Sequence, residues 1–178
     1  LILVGLPGSG KTYFGEKFSE TFSAPFINAG TIALYTNTLD DAYELTERLA
    51  GEMMRTSQTF IIETDMASRV RRTELSKSLR QKGYQPLIVW IQTDEPTAYQ
   101  RSRKHMSDDE YVRRQRTFSP PHAVEHPLVI SGKHTYASQA KVILNYLARQ
   151  NGRTETPLET PARPEPRPAG PPSRITIQ

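Results

Sequence analysis

The sequence predicts an α/β domain built on a parallel sheet, and three observations carry that prediction. Short apolar runs recur at residues 1–4, 59–62, 87–91 and 128–130. Between them lie segments whose apolar residues repeat every three or four positions, the period of a helix packed on one face. The runs are continuous rather than alternating, as expected of strands covered on both sides. Its 178 residues suffice for one domain with a substantial core.

The first run, Leu1-Ile2-Leu3-Val4, passes directly into Gly5-Leu6-Pro7-Gly8-Ser9-Gly10-Lys11-Thr12, and then Phe14, Phe18 and Phe22 follow at helical spacing. The octet fits G-x-x-x-x-G-K-[ST] in the strand–loop–helix setting which that pattern requires. Glycines let main-chain N–H groups turn inward around an anionic phosphate, and the start of the following helix adds positive potential. Lys11 is expected to reach the β- and γ-phosphates, and the Thr12 hydroxyl to meet Mg²⁺. The stretch is therefore read as a nucleoside-triphosphate site. Its predicted contacts are Gly5, Pro7, Gly8, Ser9, Gly10, Lys11, Thr12 and Tyr13, with Arg101 from farther along the chain. The phenylalanine stripe is read as core.

Residues 24–28 read as a second strand beginning at Pro25. Thr38 opens a helix with Asp40 and Asp41 in its first turn, where the helix dipole favours them. Its inward positions are expected to be Ala42, Leu45, Leu49 and Met53. The third strand ends in Glu63-Thr64-Asp65, and Ser68 caps the next helix. There Val70, Leu75 and Leu79 are expected inward, with Arg69, Arg71, Arg72 and Lys77 outward, up to Gly83. After Leu87-Ile88-Val89-Trp90-Ile91, Asp94-Glu95-Pro96 starts another helix. Ser107 with Glu110 forms a capping box for a hydrophilic helix over 108–117. A fifth strand at 128–130 precedes a final helix with Ala140, Ile143, Leu144 and Leu147 apolar.

From about residue 152 the composition changes. Residues 153–173 are dense in proline and poor in large apolar side chains, which predicts a disordered or polyproline-like tail able to engage a partner. The short β-prone end at 174–178 is expected to fray. The predicted division is a nucleotide-binding domain over 1–150 and a tail over 151–178.

A net charge of +4 and a pI near 9.4 suit anionic substrates without demanding nucleic acid. With no cysteine, disulfides, Cys-based zinc sites and thiol catalysis are excluded, and a cytoplasmic setting is expected. No apolar run approaches the ~20 residues of a membrane span. There is no signal-peptide pattern, but the chain opens at Leu1 inside its first strand, so an upstream segment is expected.

In open α/β sheets, ligands bind beyond the carboxyl ends of the strands. Glu63 stands where an acid would hold Mg²⁺; Asp65 is a second candidate, for the metal or as the base that takes a hydroxyl proton. Either could instead cap the following helix. Arg101, Arg103 and Lys104 precede the hydrophilic helix, and Arg113, Arg114 and Arg116 lie within it, three arginines in four residues. That lopsided mix favours an arginine-bearing lid, with Arg113 and Arg116 acting on the transferring group, over a plain solvated face. Arg69, Arg71 and Arg72 form either an acceptor clamp or surface. The four histidines are scattered and read as incidental, and Trp90 as core.

Together these residues resemble the compact P-loop kinases of an AAA-type ATP-binding family, akin to polynucleotide kinases and, more distantly, to zeta toxins and to gluconate and shikimate kinases. The resemblance spans residues 1 to about 150. It rests on the phosphate loop, Ile61-Ile62-Glu63-Thr64, Arg71-Arg72, Leu87 to Ile91 with Arg101 and Arg103, and Phe118-Ser119-Pro120-Pro121. It implies a three-layer fold with five parallel strands ordered 2-3-1-4-5, helices on both faces, ATP with Mg²⁺, and phosphoryl transfer to a hydroxyl. The acceptor is expected to be a small molecule or a nucleotide or polynucleotide end. One departure stands out: members usually carry an aspartate after the second strand, and here the stretch reads Phe26-Ile27-Asn28-Ala29-Gly30-Thr31. Glu63 or Asp65 could replace it, or a late proton transfer could dispense with it. The alternative expectation is an ATP-binding regulatory or structural module.

Overall fold

The structure, a computed structural model, describes residues 1–151; the proline-rich tail and the β-prone end fall outside the described residues. Five strands pair in parallel: Ile2–Val4 (β1), Phe26–Asn28 (β2), Ile61–Glu63 (β3), Ile88–Gln92 (β4) and Leu128–Ser131 (β5). Across the sheet they stand β2-β3-β1-β4-β5, the expected order. Among the described residues, seven α-helices connect or follow them: Lys11–Phe22 (α1), Ala29–Ile32 (α2), Leu39–Met53 (α3), Arg69–Gln81 (α4), Glu95–Ser102 (α5), Asp108–Thr117 (α6) and Tyr136–Asn151 (α7).

Side chains alternate across a strand, so β1 feeds two cores at once. Leu3 joins Phe14, Phe18, Val89, Ile91 and Ile143 under α1 and α7, while Ile2 and Val4 join Ile27, Ala50, Ile62 and Leu79 under α3 and α4. Burying each large apolar side chain contributes about 1.5–3 kcal/mol, which explains why the strands carry no polar interruption. Because β1 is central, the loop that leaves it emerges between the ends of β3 and β4. No described helix is long and apolar enough to cross a membrane.

Several expected faces are rotated. In α3 the buried stripe is Ala42, Thr46 and Ala50, and Leu45 and Leu49 remain about 40% exposed. Small side chains let α3 approach β2 closely, and the buried Thr46 hydroxyl is satisfied by the Ala42 carbonyl at 2.7 Å. In α4 the outward assignment of Arg72 is wrong: it is fully buried, while Val70 is 65% exposed. Phe22 and Leu144 also face solvent, and Trp90 is only half-buried. At Ser107 only half the capping box forms: its hydroxyl accepts from Glu110 N–H at 3.3 Å, and the Glu110 carboxylate turns to Arg114 instead.

Candidate active site

The phosphate loop is shaped by what packs behind it. Gly8 sits at φ 74°, and a Cβ there would lie 2.0 Å from the Ala98 carbonyl of α5, so only glycine fits. On the other side Thr93 donates its hydroxyl to Ser9 O at 2.9 Å. Gly132, just past β5, lies so close that a Cβ would come within 2.1 Å of the same oxygen. Arg101 of α5 donates to Gly132 O at 3.1 Å. The first bond of α1 runs from Phe14 N–H to Gly10 O, leaving the amides of Lys11, Thr12 and Tyr13 at the open helix start. These groups line one end of a cleft of about 850 Å³.

Lys11 donates to Leu6 O at 3.0 Å and stands 3.7 Å from Glu63 Oε1. Burial holds its ammonium below the usual lysine range; Glu63 opposes that shift, and Arg114 adds to it. Thr12 donates its hydroxyl to Glu63 Oε2 at 2.8 Å, and Asn28 Nδ2 reaches the same oxygen at 3.3 Å. A hydroxyl and a carboxylate converging beside an ammonium and free amides are hard oxygen donors of the kind Mg²⁺ takes alongside phosphate oxygens, so the residues present fit that ion. Among the described residues no cluster of three or more His, Asp or Glu offers an all-protein metal site.

Asp65 lines the same cleft, where Arg71 holds it at 2.8 Å and Ala67 N–H donates to it at 3.3 Å. It does not cap α4; Ser68 does, accepting from Arg71 N–H at 3.2 Å. Asn28, in the stretch that departs from the usual aspartate, accepts at its Oδ1 from Gly30 and Thr31 N–H, capping α2. Neither α2 nor this role was read from the sequence, although asparagine ahead of a short turn is an N-cap signal.

The cleft brings together Gly5, Pro7, Gly8, Gly10, Lys11, Thr12, Tyr13, Glu63, Asp65, Arg101 and Arg113. Ser9 is buried behind the loop, and its side chain does not reach the cleft. Arg116 does not line it either; it faces a smaller outer recess with Asp109 and Val112. Arg114, adjacent to Arg113 in sequence, lines the cleft instead, held by Glu110 at 2.7 Å. Arg103 is drawn off to Asp108 at 3.7 Å and the Tyr99 ring. His105, read as incidental, stands at the cleft mouth. Sequence reading also missed Thr93 and Gly132, which touch the loop from distant parts of the chain.

Helix α6 is anchored at its exit. Ser119 N–H donates to Ala67 O at 2.8 Å, and Arg72 donates to Met66 O and Ser119 O, each at 2.9 Å. The remaining Arg72 donors reach Glu125 at 2.7 and 3.0 Å.

A family profile described as an AAA domain matches residues 1–119, which holds the phosphate loop, Glu63 and all of α6. The chain belongs to that family. This AAA domain is 28% identical over 113 residues to a shikimate kinase of Symbiobacterium thermophilum, covering 58% of this chain and 63% of that protein. The chain thus matches less than two thirds of that relative's length. A gluconokinase from Sinorhizobium meliloti 1021 superposes with a TM-score of 0.65 at 18% identity, over 85% of this chain and 93% of that one. A sugar kinase from Janibacter sp. HTCC2649 gives 0.60 at 16%, over 83% and 92%. At these identities the likeness is one of fold, and the AAA domain shares its five-stranded architecture with them.

Proposed function

We propose that this AAA domain is an ATP-dependent kinase that transfers the γ-phosphoryl group to a hydroxyl of a small molecule. The observation that carries this reading is the convergence of Lys11, Thr12 and Glu63 at the phosphate loop, with Asp65 farther along the same cleft. The related kinases, of shikimate and of sugars, make phosphoryl transfer to an alcohol the natural chemistry for such a cleft.

The loop amides and Lys11 bind the β- and γ-phosphates. Thr12 and Glu63 would hold Mg²⁺, which when bound neutralises charge on those phosphates. Asp65, paired with Arg71, accepts the acceptor's hydroxyl proton. The new bond forms from the acceptor oxygen to Pγ as the bond from Pγ to the β-phosphate oxygen breaks, and ADP leaves. Arg113, which lines the cleft, stabilises the charge spread over the transferring group. The cytoplasm is the proposed compartment, and the proline-rich tail a proposed partner segment.

One observation favours a second reading, ATP binding without transfer. Asn28 offers no carboxylate at the end of β2, and Asp65 is already engaged by Arg71. Radiolabelled γ-phosphate followed into a panel of hydroxyl compounds tests the choice. Transfer that falls at least tenfold in Asp65→Asn, with ATP affinity unchanged, is expected of the kinase. Nucleotide binding with no transfer to any acceptor would establish the second reading.

A further inference from the structure

The half of the cleft away from the phosphate loop has an unusual character. Leu34, Leu39, Tyr43, Met66 and Phe118 line it, and Leu34 and Leu39 show 79% and 43% of their surface to solvent. Leu34 lies in a short 3₁₀ turn and Leu39 begins α3, so two neighbouring segments turn leucines toward one opening. Exposed apolar side chains grouped at a cleft mark a surface meant to be covered.

The charges there cancel. The charged groups that bear on Tyr43 are Arg114, Asp65, Arg71 and Asp40, two of each sign. Both guanidiniums are also locally spent: Arg71 is paired with Asp65 at 2.8 Å and Arg114 with Glu110 at 2.7 Å. Arg101, beside the phosphate loop, donates to the Gly132 carbonyl, and neither it nor Arg113, assigned above to the transferring phosphoryl group, has a carboxylate partner among the described residues. Uncompensated positive charge thus stands by the phosphates, while an anionic group entering beside Tyr43 would meet guanidiniums already neutralised.

We infer that the acceptor is an uncharged hydroxyl compound with an apolar body, seated on Leu34, Leu39 and Tyr43, rather than a sugar acid or polyol. This rests on the kinase reading above. The apolar body replaces water on the leucines, and its hydroxyl points to Asp65.

Three matched probes test it with ATP and Mg²⁺ on the full chain: cyclohexylmethanol, 4-(hydroxymethyl)cyclohexanecarboxylate and myo-inositol. Product formation is measured by phosphate transfer, and binding to the nucleotide-loaded protein by calorimetry. The neutral alcohol is expected to show the highest kcat/KM. In Leu34→Ser/Leu39→Ser its KM should rise about tenfold while KM for ATP holds. In Glu110→Gln, which frees Arg114, preference should move about fivefold toward the carboxylate. Equal or better use of the acid or of the polyol would overturn the inference and leave the kinase reading intact. If no probe binds, the acceptor class is wrong. If the neutral probe binds and is never phosphorylated, the kinase reading is what fails.

Discussion

Arg72 and Glu125, 53 residues apart in sequence, form a two-pronged ion pair with side-chain exposures of 0% and 6%. The guanidinium also holds Met66 and Ala67 from the segment after β3 and Ser119 from the exit of α6. One buried side chain therefore joins the loop bearing Asp65 to the foot of the arginine-bearing helix.

Breaking this pair from one side leaves a charge buried without its partner. Arg72→Met is expected to cost about 3–5 kcal/mol. Arg72→Met/Glu125→Leu should recover part of that, the Met66 and Ser119 carbonyls remaining unsatisfied while Ala67 O keeps the Ser119 N–H. Urea unfolding of the three proteins measures the difference.

The same pair makes stability depend on acid. Burial alone would raise the Glu125 carboxyl, but the hydrogen bonds from Arg72 and from His122 N–H outweigh it and hold the group below its ordinary 4.5. A group with a lowered folded pKa contributes fully above the unfolded value and loses that contribution as pH falls through the folded one. The melting temperature should therefore drop below about pH 4.5 more steeply in the native protein than in Glu125→Gln.

Lys11 gives the opposite pH dependence for ligand affinity. Its ammonium is held below the ordinary 10.5 by burial, so Mg²⁺–ATP affinity should begin to weaken at a lower alkaline pH than an exposed lysine would give. Lys11→Ala should abolish binding, and with it that pH dependence. Calorimetric titrations from pH 7 to 10 check both.

Thr12 and Glu63 are expected to act together on the metal. Either Thr12→Val or Glu63→Gln should lower turnover roughly 10²-fold, since the charge neutralisation that a metal ion held there would supply is worth several kcal/mol. The loss should be partly relieved by raising Mg²⁺. A magnesium titration of each variant gives the answer, and two curves indistinguishable from the native one would remove both residues from the metal site.

Two glycines make a matched test of packing. Gly132→Ala puts a carbon 2.1 Å from Ser9 O and 2.2 Å from the Thr93 hydroxyl, an overpacking worth about 1–3 kcal/mol, and should also weaken nucleotide binding. Gly51→Ala in α3 meets nothing within 4 Å and should stabilise by about 0.4–1 kcal/mol. Thermal melts with and without ATP separate the two.

What the sequence made legible was whatever a local pattern dictates. The phosphate loop, the strand-end acids and the caps at Thr38, Ser68, Asp94 and Ser107 all depend on neighbours a few residues away. Helix faces were less legible, because hydrophobicity points to leucines whereas α3 was closed by alanines and a self-satisfied threonine. Arg72 reads as surface because its partner, Glu125, is beyond any local window. Arg114 and Arg116 are equally plausible as letters, and only the orientation of α6 separates them. Gly132 looks like any turn glycine until Ser9 is placed beside it.

The contact between Ser9 and Gly132 has a temporal consequence. The ribosome writes the phosphate loop before the wall behind it, which is not translated until β5 has been completed more than a hundred residues later. A nascent chain halted before that point carries the whole nucleotide signature in its letters but lacks the backing that curves it. The backing of the loop thus waits on β5 and Gly132, long after the loop's own residues have been joined.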